Sequence, residues 1–222
     1  DNHVKLIKYK QIGKYKWNTD IKTDISWENS DMYKGLNGSY FLTNTIYDYL
    51  QDTTWNNRIE NWTWSAVNTQ TYTYNNYESH YYNITPSQIY LHEMNRSTKT
   101  STIGDWTTPS GKIGLMYVSD YALSLGSSAL ERKINFYYNT LKIGWMHQSN
   151  NDTTKSVTEW TLSRFGANAY RSFNAWFVYA GGYVEENNVD YTYGTRPVFY
   201  LTTDTKVSSG TGSLDDPFMI KE

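Results

Sequence analysis

Four histidines, His3, His80, His92 and His147, are the first residues to weigh for acid–base or metal chemistry. No two stand at the i,i+4 spacing that sets imidazoles on one helix face, and none has a ligand-spaced partner. His92 and Glu93 adjoin on a predicted short helix, where neighbouring side chains diverge by about 100°. The absence of cysteine excludes disulfides, thiolate catalysis and thiolate-bound zinc. Glu185-Glu186, followed by Asn187, Asn188 and Asp190, offers the carboxylate pair that glycoside hydrolysis uses. Adjacent side chains point apart, however, and the segment reads as a solvated loop. Asp204, Asp215 and Asp216 could give oxygen ligands to a hard cation such as calcium, but their spacing matches no loop template. The sequence therefore predicts a non-enzyme, with no catalytic residue, no metal and no cofactor.

Binding chemistry is better represented. Saccharide recognition needs flat apolar rings to stack on and planar amides or carboxylates to meet hydroxyls, and Tyr and Trp give contact area at low entropic cost. The predicted ligand-binding residues are Trp62, Trp64, Tyr183, Glu185, Asn187, Asn188 and Asp190. They lie in the polar stretches 53–82 and 183–191, where Trp55, Tyr72, Tyr74 and Tyr77 are further candidates for exposure. Trp160, Trp176, Phe177 and Phe199 stand in strand-like apolar runs instead and are assigned to the core. The predicted partners are a glycan or a surface protein.

The elements that must hold these residues come from a chain of 222 residues with 9 Trp, 22 Tyr and a net charge of −2, which argues for a folded body despite few aliphatics. Near-neutral charge removes the electrostatic basis for binding nucleic acid. Lys5, Lys8, Lys10, Lys14 and Lys16 read as the solvated face of strands. No apolar run approaches the length of a membrane span, and no signal-peptide pattern follows residue 1. Short strands are predicted at 4–9 and 14–17 around a turn at Gly13, and at 112–119, 159–162, 175–179 and 196–201. Helices are predicted from Ser30-Asp31, which supplies a cap, and over Pro86–Met94, with proline in the first turn. Gly181-Gly182 reads as a turn, and Arg196-Pro197 as an edge or bulge whose guanidinium ties loops to a carboxylate. No linker divides the chain, so one α+β domain spanning 1–222 is expected.

Gly111-Lys-Ile-Gly-Leu-Met-Tyr-Val-Ser-Asp-Tyr121, Glu159-Trp-Thr-Leu-Ser163, Gly194-Thr-Arg-Pro-Val-Phe-Tyr-Leu201 and Ser209-Gly-Thr-Gly-Ser-Leu-Asp-Asp-Pro-Phe218 follow one another in this order. From about residue 84 to the end the chain resembles the C-terminal region of cell-surface and pilin-like (prepilin-type) proteins of gut Firmicutes. The Trp-Thr-Leu strand, the Gly181-Gly182 turn and the Gly-x-Arg-Pro strand are similar to the C-type-lectin-like and formylglycine-generating-enzyme-like core. The resemblance implies a lectin-like mixed sheet with short helices and long loops, and an extracellular place on the bacterial cell surface. Its implied role is adhesion or ligand binding, the alternative being the structural ectodomain of a type IV pilin-like filament subunit that associates with itself.

Overall fold

The longest strand, Glu159–Phe165, forms where Trp160 and Leu162 alternate with polar residues. The computed structural model describes residues 3–21, 26–38, 53–65, 82–94, 109–126, 134–135, 144, 146, 158–165, 173–211 and 215–221. Its first half holds β1 (Lys5–Ile7), β2 (Gly13–Lys16), α1 (Asp31–Asn37), α2 (Thr53–Arg58), β3 (Trp62–Thr63), β4 (Tyr82–Ile84) and α3 (Pro86–Met94). There follow β5 (Ser110–Gly111), β6 (Gly114–Leu115), α4 (Val118–Leu123) and β7 (Ile134–Asn135). The last part is almost all strand: β8 (Glu159–Phe165), β9 (Asn174–Val178), β10 (Val184–Asn188), β11 (Thr192–Thr195), β12 (Pro197–Tyr200), β13 (Val207–Ser209) and β14 (Met219–Ile220). The fold is α+β, with mixed sheets and short helices.

Two sheets organise it. The larger has the order β10-β9-β8-β11-β2 and is antiparallel except where β11 runs parallel to β8; the smaller has the order β1-β12-β6. β1 and β2 pair with β12 and β11, not with each other, and Gly13 opens β2 where a turn was expected. Both N-terminal strands thus find partners in the last thirty or so residues, a long-range pairing that local pattern does not encode. Pro197 is the first residue of a central strand, where a missing amide is tolerated, instead of lying on an edge. β9 and β10 form a hairpin through Gly181-Gly182, with Gly182 at φ 82° and its N–H donating to Tyr179 O at 2.8 Å.

The expected strand at 112–119 is cut short. Only Gly114–Leu115 joins the sheet, and from Val118 the chain turns into α4. The cause lies elsewhere in the sequence: the buried Glu93 carboxylate on α3 accepts from Val118 N–H at 3.0 Å and Ser119 N–H at 2.9 Å, and Asp120 accepts from Tyr117 N–H at 2.9 Å. These acceptors satisfy the open amides of a helix start. At the other predicted helix start, Ser30 Oγ accepts from Tyr33 N–H at 3.0 Å, as expected of a cap.

One apolar core underlies both sheets, with Trp17, Trp27, Trp160, Leu115, Met116, Trp176 and Val178 among its members, and Phe199 packs half-buried against it. Lys5 departs from the solvated role expected of it. Its ammonium reaches Asp120 of α4 at 2.6 Å and lies 5.1 Å from the Tyr117 ring centre, which pins β1 to α4. Among the described residues no helix is long and apolar enough to cross a membrane.

Candidate functional site: a tyrosine face on an edge strand

Register decides which side chains of the large sheet meet. In antiparallel pairs, opposed residues share a face and neighbours along a strand alternate. Glu185 opposes Phe177, which opposes Trp160, and Asn187 opposes Ala175. These residues look to one side, while Trp176, Val178, Val184 and Glu186 look to the other, where α4 packs on β9.

The first side is an aromatic floor with a tyrosine rim. Trp160 and Phe177 are buried, with their ring centres 6.1 Å apart, and Tyr193 of β11 lies 4.6 Å from the first and 4.8 Å from the second. Asn187 donates its amide to the Tyr193 hydroxyl at 2.7 Å. Tyr179 and Tyr183 flank the hairpin turn with ring centres 4.5 Å apart, and Tyr191 stands 6.2 Å from Tyr193. Tyr179 is 40% and Tyr191 51% exposed, so the rim is open to solvent. Burial, and then Glu185 and Tyr179 nearby, raise the Tyr183 hydroxyl above its usual pKa; burial raises Tyr193 too, although the Asn187 bond opposes this. Tyr183 and Tyr193 therefore stay neutral donors and acceptors beside the exposed Glu185 carboxylate.

Of the sequence-predicted residues, Tyr183, Glu185 and Asn187 come together here. Asn188 is on the same strand but faces the other side, and Asp190 lies in the turn after β10, where Tyr191 N–H donates to Asn188 O at 3.1 Å. The segment expected to be a solvated loop is an edge strand, because it pairs residue for residue with β9. Glu185 and Glu186 point to opposite faces, and Asn174 donates to Glu186, so the two carboxylates cannot act on one bond. Their charges also guard an open sheet edge against chance pairing.

Trp62 and Trp64 stand apart, on β3 and beside it. Trp62 is half-buried and stacked on Tyr200 at 4.0 Å and 22°, with the His3 ring edge-on at 5.0 Å. Trp64 corrects the expectation of exposure: it is fully buried, donates Nε1–H to Gly111 O at 2.8 Å, and presses on Gly114 so closely that a Cβ there would meet the ring at 2.6 Å. The side chain of Trp55, with Tyr72, Tyr74 and Tyr77, lies outside the described residues. Sequence reasoning missed Tyr179 and Tyr193; the period-two spacing of Tyr191 and Tyr193 after a turn was the available signal.

The strongest electrostatic features are buried. Glu159 of β8 meets Arg196 at 3.3 Å and accepts from the Tyr121 hydroxyl, while Arg196 also donates to Met146 O at 2.9 Å. Burial pushes the Glu159 carboxyl up to about 7 although Arg196 opposes the rise, and burial raises Glu93 although Ser119 and Ser163 hydrogen bonds oppose it. Neither carboxyl reaches the tyrosine face, and their partners are those of structural ties. Asp216 is likewise engaged in a turn, accepting from Thr211 N–H at 2.9 Å, and among the described residues no three acidic or imidazole groups converge as metal ligands.

These raised values give stability a definite pH dependence. Both carboxyls hold their protons more tightly folded than unfolded, so their contribution is fully present below the unfolded carboxyl pKa and is lost as pH rises, through about 7 for Glu159. Denaturant titrations between about pH 5 and pH 8 should therefore show wild type losing stability with pH more steeply than Glu159→Gln. Equal slopes would show that Glu159 does not titrate in this window.

Comparison with protein-family models, curated proteins and solved structures finds no match to this chain.

Proposed function

We propose that the chain is a non-enzymatic, surface-exposed bacterial domain for adhesion, which binds a glycan or a protein ligand across the tyrosine face of β9, β10 and β11. The observation that carries this reading is the rim of exposed Tyr179 and Tyr191 and half-buried Tyr183 around a buried aromatic floor, with the Glu185 carboxylate and Asn187 amide beside it. Rings supply stacking and the polar groups meet hydroxyls, on a rigid strand scaffold that costs little to order. A lectin-like core belongs to the same reading. A stacked ring with a few hydrogen bonds gives about millimolar affinity per saccharide, so firm attachment needs many copies on one surface.

Tyr179→Ala, Tyr183→Ala and Tyr191→Ala should each weaken attachment of domain-coated beads to a ligand surface by about fivefold or more, as central aromatic anchors do. Stability should move by about 0.5 kcal/mol or less, as for surface changes generally. Full attachment by all three variants would remove the face from consideration.

The filament-subunit alternative has a separate support, the exposed Val207, Phe218 and Met219 on the β13–β14 ribbon. Sedimentation at rising concentration tests whether this ribbon self-associates, and a monomer throughout would remove that support.

A further inference from the structure

A cleft of about 490 Å³ opens on a different part of the molecule, where three backbone segments meet. The end of α2 is held beside the end of β12 by an Ile59–Leu201 bridge and by Thr202 N–H donating to Arg58 O at 2.9 Å. The chain then turns, with Thr205 N–H donating to Thr202 O at 3.0 Å, and enters β13, whose first neighbour Lys206 accepts from Lys221 N–H at 2.8 Å. Continuing the Val207–Ile220 register by one residue sets Lys206 and Lys221 opposite each other, so their side chains share the face that lines the cleft.

Like charges placed directly opposite across a ladder destabilise it. Arg58 lines the same cleft, and among the described residues no ion pair joins Arg58, Lys206 or Lys221 to a carboxylate. Asp204 is the one acidic group of the lining, which leaves an excess of two positive charges in a chain of net charge −2. A hydrogen bond from Thr202, then its own backbone, with Arg58 and Lys206 nearby, keeps the Asp204 carboxyl below its usual range. It therefore stays an acceptor. The rest of the lining is hydroxyl and amide, from Thr202, Thr205 and Asn57.

We propose that this cleft binds an acidic saccharide, its carboxylate or sulfate seated between Lys206, Lys221 and Arg58 and its hydroxyls on Asp204, Thr202, Thr205 and Asn57. The oxyanion relieves the opposed lysines, and the volume is that of a small-molecule site rather than of a lone ion. The fixed charge of Asp204 repels a dense polyanion and suits a ligand that also donates hydroxyls. The site is separate from the tyrosine face, so the two readings stand or fall independently.

The test titrates the full chain at low salt with glucuronate, glucose 6-sulfate, glucose and inorganic sulfate, followed by calorimetry. At least one acidic sugar should bind about tenfold more tightly than glucose or sulfate, the ratio between the two acidic sugars telling carboxylate from sulfate. K206Q and K221Q should each lose about tenfold, and K34Q, which changes an exposed lysine of α1 that does not line the cleft, should lose nothing. Without ligand, K221E should melt higher than wild type, because a like-charge pair becomes an opposite one. Failure of both acidic sugars to bind, binding of sulfate equal to theirs, or unchanged affinity in K206Q and K221Q would each overturn the proposal.

Discussion

Arg196→Met is expected to cost about 3–5 kcal/mol of unfolding free energy, the range for breaking a buried ion pair from one side. The guanidinium is fully buried between the sheets: it leads into β12 of the small sheet, reaches Glu159 on β8 of the large one, and lies 5.9 Å from the Tyr121 ring centre on α4. Removing it leaves the Glu159 carboxyl in an apolar interior with only the Tyr121 hydroxyl as a partner among these groups. A carboxyl so placed stays neutral, and the variant's stability should fall further as pH rises. The double variant Glu159→Gln with Arg196→Met should be less damaged than Arg196→Met alone at neutral pH, because no buried carboxyl has to be kept protonated against its unfolded pKa. Urea unfolding of the two variants decides the matter; a single variant within about 1 kcal/mol of wild type would mean that the pair contributes little.

Trp64→Ala should cost a similar amount, about 3–5 kcal/mol, by removing a large buried ring. The ring lies on the backbone of Gly114, beside Tyr200 at 5.7 Å, and its indole N–H satisfies the Gly111 carbonyl. Truncation opens a cavity and removes that hydrogen bond, and the backbone around Gly114 cannot collapse far because β6 is held in register with β12. Ligand attachment at the tyrosine face should remain in whatever fraction stays folded. A melting temperature close to wild type would contradict the burial of Trp64.

The contrast between Trp64, fully buried, and Tyr183, half-buried, shows how little polarity alone decides. Both stand in polar surroundings, and polarity alone suggested exposure for both. Trp62, Thr63 and Trp64 alternate, however, and put two tryptophans on one face of a strand, a spacing that packs against another element more readily than it faces water. Tyr183 follows a glycine turn and precedes an edge strand, a placement that leaves its ring on the rim.

The strands expected at 159–162, 175–179 and 196–201 form at 159–165, 174–178 and 197–200, and were legible because Trp160 and Leu162 alternate with polar residues while 175–179 and 197–201 are short apolar runs. The run at 112–119 was not, since an apolar stretch of that length fits strand or helix, and what decided it was Glu93, about twenty-five residues away, capping Val118 and Ser119. Helix α2 gave no apolar periodicity to read, only Thr-Thr-Trp-Asn-Asn-Arg. The pairing of β1 and β2 with the C-terminal strands is invisible to any local window, and so was the meeting of Tyr193 with Asn187 that completes the candidate site.

The most direct test of the tyrosine face as a ligand-binding surface is a glycan array probed with multivalent wild-type protein and, in parallel, with a variant carrying Tyr179→Ala, Tyr183→Ala and Tyr191→Ala. The account predicts a defined set of glycans retained by wild type and lost by the variant, with both proteins equally folded by circular dichroism. An array on which no glycan is lost by the variant, acidic glycans held in the lysine cleft being set aside, would contradict it.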